Sequence, residues 1–471
     1  MPKGRSFQRS EPVRKDLRTV FPFRWTHRTL VAKQGRVQWM FEVRPPILPA
    51  LCAISLLFAL SATAQTLERS TLSTQGLDAV GRSLQAQRDE QALIGAPVSE
   101  SVRRFHYELT IQAAEIYDDN LSLAPNNRIH DWYTRIGAVI TLGFGDTIVR
   151  EENFLEAFYE PDFLIFAHHS NFDTVQHVAY LAAQYRFSRL TLGIAENIQL
   201  AQTGDSQLPS FTGTIVNGVN IDTGGRRRIN TYTTHLSATY ELTGKTYLSS
   251  AGDYTLIDYS GGLTNSQRIS GNFFLNYQYS PKLVVGAGGT FGRDVLNQAN
   301  SDQTFEQANL RATYNPTGKL TTSSSVGVEF RQFDSGSHDS VSPIFDLSVS
   351  YMPFDGTSIT VDASRGTQTS AALLGQDYTS TQIQVMAKQR LLQRIVLSCT
   401  AGYQNLDYFD ALTPTVASRE DNYYFIQPAI DARITRFWYA GAFLVYRENT
   451  SNFSNFSFND TQVGIRTALK F

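Results

Sequence analysis

From residue 105 to the last residue, apolar and polar side chains alternate along one segment after another, often over ten residues or more. In residues 268–279 one face carries aromatic and aliphatic side chains, and the other carries Arg, Ser, Asn and Gln. Such alternation predicts β-strands with two different faces. These segments are longer than the ~5–6 residues usual in soluble proteins. Their apolar faces end in Tyr and Phe, which is typical of strands that cross an outer membrane.

Beyond the N-terminal region, no apolar run approaches the ~20 residues that a membrane-spanning helix needs. A membrane protein without such helices must close its sheet, because lipid offers no hydrogen-bond partner to an open edge. We therefore predict an all-β fold, a transmembrane antiparallel β-barrel of about 18 strands, an even number as in bacterial barrels. The predicted strands lie near 105–117, 131–144, 153–168, 173–187, 189–201, 228–243, 245–259, 265–280, 281–293, 303–315, 318–333, 339–352, 357–366, 377–391, 393–408, 421–436, 437–449 and 457–471.

The connections between these segments differ in length on alternate sides. Short ones such as 187–189 and 280–282 contain Ser or Pro, which are residues that favour turns. Longer polar ones include 118–130, 202–227 and 409–420. Short periplasmic turns and long outer loops are the usual asymmetry of these barrels, so both chain ends are expected on the periplasmic side.

The N-terminal region has the composition of an export signal. The apolar run Ile47–Leu60 precedes the small-residue cleavage site Ala62-Thr63-Ala64, so residues 1–64 are predicted to be a signal peptide with an unusually long basic extension. A start at Met40 would give a conventional signal, and a genuine cytoplasmic extension is the alternative. We expect export through this signal and residence in the outer membrane.

Residues 65–104 differ from the barrel in composition. They are rich in Gln, Ser, Arg and Leu, and Leu77, Val80 and Leu84 recur at helical spacing. We predict a short periplasmic leader with one helix, or alternatively an irregular leader to the first strand. The barrel itself is expected over 105–471.

Charge and cysteine content exclude several classes of function. The first 64 residues hold 11 Lys and Arg against 3 Asp and Glu, which leaves 30 basic and 40 acidic residues in the remainder. A nucleic-acid partner is not expected for so acidic a chain, because phosphate binding needs a basic surface. Cys52 lies in the signal and Cys399 stands alone after it, so neither an internal disulfide nor a cysteine metal site is expected. No metal or other cofactor is predicted.

The first strand ends in the segment Ile116-Tyr117-Asp118-Asp119-Asn120-Leu121, and Asp131 opens the second. This arrangement resembles the outer-membrane barrels of the "putative β-barrel porin type 2" family. The resemblance implies a barrel in the outer membrane, and some members of that family are associated with exopolysaccharide secretion.

The last strand resembles the assembly signal of outer-membrane proteins. Its apolar face and terminal aromatic residue are Val463, Ile465, Leu469 and Phe471. This resemblance implies the barrel-assembly machinery as a partner during biogenesis, with outer-membrane lipid and lipopolysaccharide as surroundings. The basic run Gly224–Arg228 is a candidate lipopolysaccharide contact, or simply the base of a loop.

The face opposite the apolar one supplies candidates for the lining of a pore. Nine charged residues fall on it: Glu156, Glu160, Asp162, Arg268, Arg311, Arg331, Asp346, Arg433 and Arg466. Acidic and basic groups on opposite walls would create a transverse field that selects polar solutes. The alternative is that these groups pair with one another as salt bridges.

Four aromatic residues also fall on the inner face, namely Phe158, Phe274, Tyr423 and Phe425. They are candidates for stacking against sugar rings. They serve equally well for packing a loop that folds inward.

The segment His168-His169-Ser170-Asn171 resembles the core of outer-membrane phospholipases, in which a His activates a nearby Ser. The Gly that follows in that family is Phe172 here, and the segment opens into a loop where polar residues are common. A metal site with Asp173 and His177 is equally weak. We therefore predict that the chain is not an enzyme, with a lipid hydrolase using His168 and Ser170 as a distant alternative.

These observations favour a porin-like channel for polar solutes or polysaccharide. The alternative is a non-conducting structural barrel, or one associated with exopolysaccharide export. The sequence does not reveal the oligomeric state.

Overall fold

The computed structural model describes residues 105–147, 152–203, 220–297, 301–334, 339–410 and 418–471. The predictions for residues 1–104 fall outside these ranges. Eighteen strands are present, which confirms the predicted fold class. They are β1 Phe105–Asp118, β2 Asp131–Gly145, β3 Phe154–Phe166, β4 Thr174–Arg186, β5 Leu190–Gln202, β6 Arg228–Glu241, β7 Thr246–Tyr259, β8 Ser266–Ser280, β9 Leu283–Leu296, β10 Gln303–Thr317, β11 Leu320–Phe333, β12 Ser340–Tyr351, β13 Thr357–Thr369, β14 Gln376–Leu391, β15 Ile395–Asp410, β16 Glu420–Arg433, β17 Trp438–Ser451 and β18 Phe458–Lys470.

Every strand pairs antiparallel with its neighbours along the chain, and β1 pairs with β18 to close the barrel. The described residues also hold three single-turn 3-10 helices, at Ser170–Phe172, Ile221–Thr223 and Ser454–Phe456. None of the described helices is long and apolar enough to cross a membrane.

The outer face of the barrel is apolar. Side chains such as Phe291, Leu310 and Ile465 are more than 60% exposed, as expected of a surface that contacts lipid rather than a protein core. The alternation of the sequence therefore follows the wall of the barrel, with one set of residues facing lipid and the other facing the lumen.

Connections are short at one end of the barrel and longer at the other. The turns 187–189, 281–282 and 318–319 lie at the end where β1 begins, whereas 119–130 and 203–227 lie at the opposite end. We call these the short-turn end and the long-loop end.

The Tyr-Asp-Asp-Asn segment closes the junction between β1 and β18 at the long-loop end. Asn120 is fully buried, and its side-chain amide donates hydrogen bonds to the carbonyl oxygens of Ala124 and Asn459 at 2.9 and 2.8 Å. The carboxylate of Asp119 accepts a hydrogen bond from the backbone N–H of Thr461 at 2.7 Å. These residues fasten the first long loop to the last strand.

Candidate functional site

The lumen holds all nine charged residues that were predicted to face it. Each lies on the strand face opposite the apolar one, as Glu156 does beside the exposed Leu155. Ion pairs hold at least five of the nine: Glu160, Asp162, Arg268, Arg331 and Arg466. Pairing, rather than two opposed walls of bare charge, therefore governs much of the lumen.

On the wall formed by β1–β3, Arg135 contacts both Glu160 and Asp162. The side-chain amide of Gln112 donates to Glu160 at 2.6 Å. On the far side of the β1–β18 junction, Arg466 makes a two-pronged ion pair with Asp431, at 2.9 and 2.5 Å. Such bidentate pairs fix both side chains in one geometry.

Arg311 has a different environment. Its guanidinium donates to the side-chain oxygens of Asn276 at 2.9 Å and Ser249 at 2.6 Å, and lies 4.0 Å from the centre of the Phe274 ring. Within the described part of the chain, no carboxylate lies within salt-bridge distance of this guanidinium. Arg311 is therefore a lumen cation whose partners are neutral.

We call the third connection at the long-loop end, residues 203–227, loop 3; its described part, Thr203 and residues 220–227, turns inward. Its described part carries the 3-10 turn Ile221–Thr223, and all three residues of this turn are buried. The carboxylate of Asp222 accepts hydrogen bonds from the Ser370 hydroxyl and the Ala371 N–H, both at 2.6 Å, and from the Tyr408 hydroxyl at 3.0 Å.

These contacts join opposite walls of the barrel. Loop 3 connects β5 and β6, whereas its partners belong to the β13–β14 connection and to β15. In a closed ring of 18 strands, β14 and β15 lie eight or nine strands away from β5 and β6. Loop 3 therefore meets the far wall across the long-loop end of the lumen.

Arg419 completes the docking of loop 3. It is fully buried and donates to the carbonyl oxygens of Ile221 at 2.8 Å and Asp222 at 3.0 Å, while its side chain is also paired with Asp421. The Phe456 ring centre lies 3.4 Å from its guanidinium carbon. Orphan carbonyls of the single turn thus receive charge-assisted hydrogen bonds, which are stronger than neutral ones.

An apolar cluster surrounds this docking point. Residues from the β1–β2 connection (119–130), from loop 3 and from four strands at the long-loop end pack together: Leu123, Ile221, Tyr378, Leu406, Tyr408, Tyr423 and Phe458. Phe425 packs against the cluster. Tyr423 and Phe425 thus serve an inward-folded loop, the second of the two roles considered from the sequence, whereas Phe158 belongs to an apolar cluster on the inner face of β2–β5.

The β13–β14 hairpin leaves the wall at its long-loop end. Pairing between β12 and β13 runs only from Phe345–Arg365 to Tyr351–Ile359. Residues 340–344 remain paired with β11, and residues 366–369 remain paired with β14. We call residues 366–380 the hairpin tip.

Arg331 holds the hairpin tip against the inner face of β9–β11. Its guanidinium bonds Asp294 at 2.9 Å and Gln303 at 2.7 Å, and donates to the Thr367 carbonyl oxygen at 3.5 Å. Gln303 in turn donates to Asp377 at 2.8 Å. A single buried arginine therefore links three wall strands to the displaced hairpin.

A cavity of about 290 Å³ lies between the hairpin tip, loop 3 and the inner face of β5–β9. Arg268 and Asp294 line it and form a bidentate ion pair at 2.6 and 2.8 Å. The long-loop end of the lumen is thus narrowed by two inward segments and retains between them a space lined by both polar and apolar side chains.

The histidine segment at 168–171 has a structural partner. The ring Nδ1 atoms of His168 and His169 contact the carboxylate of Asp131 at 2.8 and 3.1 Å, and both backbone N–H groups donate to the same carboxylate at 2.9 Å. Asp131 therefore ties the β3–β4 connection, residues 167–173, to the start of β2. These contacts give no support to a His–Ser pair that uses Ser170 as a nucleophile.

The basic run after Gly225 packs largely onto the barrel. The Arg226 guanidinium lies 5.1 Å from the Phe166 ring and 5.8 Å from the Phe172 ring, and Arg228 contacts Thr174. Arg227 is exposed. Of the three arginines, Arg227 is the one available to an outside partner.

Several residues of the constriction were not singled out from the sequence. Arg135 and Asp294 lie on the inner face by strand alternation, so the same pattern that gave the nine candidates could have included them. Asp222 and Arg419 lie in irregular connections, where no periodicity marks a buried position.

Comparison with known proteins agrees with the barrel. The family model described as "Putative beta-barrel porin 2" matches residues 294–471, which confirms the predicted resemblance. No curated protein matches the chain. The chain is a porin-like β-barrel of the outer membrane.

Among solved structures, OpdQ of Pseudomonas aeruginosa is 11% identical, with 79% of this chain and 100% of that one covered and a TM-score of 0.44. OccAB3 of Acinetobacter baumannii is 10% identical, with 78% and 99% covered and a TM-score of 0.43. The outer membrane protein OpdK of Pseudomonas aeruginosa is 11% identical, with 78% and 99% covered and a TM-score of 0.40.

Proposed function

We propose that this protein is a selective diffusion channel for small polar solutes, narrowed at its long-loop end by loop 3 and the hairpin tip. The observation that carries the proposal is the docking of Asp222 on Ser370, Ala371 and Tyr408 across the lumen. An 18-stranded barrel is wide enough for an aqueous channel unless loops fill it. Two inward segments with a cavity of mixed polar and apolar lining between them fit a sieve for small molecules.

The nine charged residues are proposed to line the path, with Arg268 and Arg331 at the constriction itself. Paired groups such as Arg466 and Asp431 contribute local dipoles, whereas Arg311 contributes a positive charge that attracts anions. Selectivity is then a property of a few positions rather than of a uniform field.

A small solute is favoured over a polysaccharide by the size of the space at the constriction. A cavity of about 290 Å³ is at the lower limit of the ~300–1,000 Å³ usual for small-ligand sites. Passage of a polymer would require loop 3 to leave its buried position.

The second candidate is a non-conducting barrel that serves structure or exopolysaccharide export. It is favoured by the extent of burial at the docking point, where Asp222 and Arg419 are 1% and 0% exposed. During biogenesis we propose that the exposed apolar face of β18, including Val463, Ile465, Leu469 and Phe471, is recognised by the barrel-assembly machinery.

Swelling of liposomes that contain the purified chain distinguishes the two candidates. A channel for small solutes admits neutral and charged molecules of increasing size until a sharp cut-off. Liposomes that swell no faster than protein-free ones in every solute, with the barrel shown to be folded and inserted, would refute the channel and favour the structural candidate.

A further inference from the structure

The cavity beside the hairpin tip has a lining that suits one kind of ligand. Its walls carry many side-chain hydroxyl and amide groups, with Ile229 and Ile257 adding apolar area. Hydroxyls come from Thr231, Thr255 and Ser266 on the wall. A lining of this kind offers both donors and acceptors to a ligand, together with surface for its C–H groups.

Two hydrogen bonds fix polar groups on opposite sides of the cavity. On one side, the side-chain amide of Asn220 in loop 3 donates to the hydroxyl oxygen of Tyr259 on β7 at 3.0 Å. This bond leaves the Tyr259 O–H free to donate to a ligand. On the hairpin tip, the Tyr378 hydroxyl donates to the side-chain oxygen of Gln368 at 2.8 Å, which leaves the amide nitrogen of Gln368 as a donor. Both pairs border the cavity, so the donors are oriented before a ligand arrives.

Around the cavity, carboxylates outnumber arginines. Arg268 is held by Asp294 in a bidentate pair, and Arg331 contacts the same carboxylate. Arg331 is also within ion-pair distance of Glu329 and Asp377. Two arginines therefore face three carboxylates, an arrangement that gives no surplus of positive charge to an anionic ligand.

We propose that this cavity is a binding subsite for a neutral, hydroxyl-rich solute of about one sugar ring. Its volume equals that of roughly ten water molecules at ~30 Å³ each, which fits a single ring and excludes a longer oligomer. A site built to hydrogen-bond hydroxyls disfavours ligands that leave its buried polar groups unpaired. The inference rests on the proposed function, since it names the solute class that the constriction admits.

Equilibrium dialysis of a radiolabelled neutral hexose against the detergent-solubilised chain measures the subsite without requiring conduction. The expected dissociation constant is ~1 mM, because a channel site must release its solute quickly. The variants Tyr259→Phe and Gln368→Ala each remove one donor and are expected to weaken binding about fivefold to tenfold. The corresponding uronic acid, with a carboxylate on the same ring, is expected to bind at least about tenfold more weakly.

Two control variants match these changes outside the cavity. Gln427→Ala removes an amide elsewhere on the inner face of β16, and Tyr240→Phe removes a hydroxyl on the lipid-facing side of β6. Both are expected to bind hexose like the unaltered chain. Absence of saturable hexose binding, equal binding of the uronic acid, or an equal loss in Gln427→Ala would overturn the proposal.

Failure of the subsite and failure of the channel are separable. Liposomes that swell in hexose although dialysis finds no saturable binding would leave the channel standing and refute the subsite. Saturable binding with no swelling would support the subsite and refute the channel.

Discussion

Among individual residues, Arg311 has the most direct influence on ions in the lumen. The other lumen arginines with identified partners are neutralised by carboxylates, as Arg466 is by Asp431. Arg311 is held by Asn276, Ser249 and the Phe274 ring instead. Neutral partners orient the guanidinium but leave its charge uncompensated.

Replacing Arg311 by Gln is expected to reduce anion preference. A unit charge changes the energies of an anion and of a cation ~4 Å away in water by about 1 kcal/mol each, in opposite directions, so the anion-to-cation permeability ratio should fall by up to about thirtyfold. The reversal potential in a salt gradient measures this ratio. Arg293→Gln, which removes an equal charge from the outer face of β9, is the control and should leave the ratio unchanged. An unchanged ratio in Arg311→Gln would place the ion path elsewhere.

Within the Tyr-Asp-Asp-Asn segment, Asn120 makes the buried contacts that fasten the connection 119–130 to β18. Its amide bridges Ala124 and Asn459, and its side-chain oxygen accepts the Ala124 N–H at 3.1 Å. Asn120→Ala removes three hydrogen bonds of a fully buried side chain, including the one to the half-buried Asn459 carbonyl, so we expect a loss of about 1–3 kcal/mol in the free energy of unfolding.

The temperature at which the folded band disappears from unheated gel samples measures the effect of Asn120→Ala. Asn297→Ala is the matched control, because Asn297 is exposed and accepts a single hydrogen bond, from the N–H of Asn265. Equal thermal stability of the two variants would argue against a closing role for Asn120.

At the scale of elements, loop 3 is held by a carboxylate whose protonation depends on docking. Burial raises the pKa of Asp222 above its ordinary value of 3.8, although hydrogen bonds from Ser370 and Ala371 and the charge of Arg419 oppose the shift. In a released loop the carboxyl regains its ordinary pKa. Docking then takes up a proton at pH values between the two.

This linkage predicts that acid favours the constricted state. Docking is most favourable below the ordinary pKa of about 4 and weakens as the pH rises through the raised value. Channel conductance should therefore increase with pH over this window. Asp222→Asn should abolish the increase, whereas Asp334→Asn, at an exposed loop carboxylate, should retain it. A conductance in the unaltered chain that is constant or falls with rising pH would contradict the linkage.

The hairpin tip is the second element that shapes the lumen, and Arg331 is its anchor. Arg331→Lys retains the charge but loses the planar group that reaches Asp294, Gln303 and the Thr367 carbonyl. We expect a loss of stability of about 2 kcal/mol, less than the ~3–5 kcal/mol for removing a buried partner entirely.

Conductance and thermal unfolding together test this anchor. Release of the tip should enlarge the conductance of Arg331→Lys as well as lower its unfolding temperature. Arg293→Lys, in an exposed ion pair, should change stability by less than about 1 kcal/mol. A destabilised Arg331→Lys barrel with unaltered conductance would mean that the tip does not limit the passage.

For the whole molecule, strand alternation and turn composition predict the wall well. The eighteen predicted segments match the observed strands within a few residues, and β9 begins at Leu283 rather than 281 because Pro281 and Lys282 form the turn. The alternation within each strand shows which residues lie on its two faces. Strand orientation and register can therefore be predicted from residues close together in the sequence.

The constriction could not be predicted in the same way. Asp222 meets Ser370 148 residues further along the chain, and Arg419 lies 197 residues beyond Asp222. Contacts between distant irregular segments leave no periodic signal. The separation of β13 from β12 also could not be predicted from the sequence, because residues 366–369 remain a strand by pairing with β14 alone.

Single-channel recording in a planar bilayer tests the central claim that loop 3 and the hairpin tip narrow an open barrel. We expect small, steady conductance steps for the unaltered chain and larger steps when Asp222→Ala and Arg419→Gln together remove the hydrogen bonds that hold loop 3. A folded, inserted barrel that is silent in both forms, or that gives equal steps in both, would contradict it.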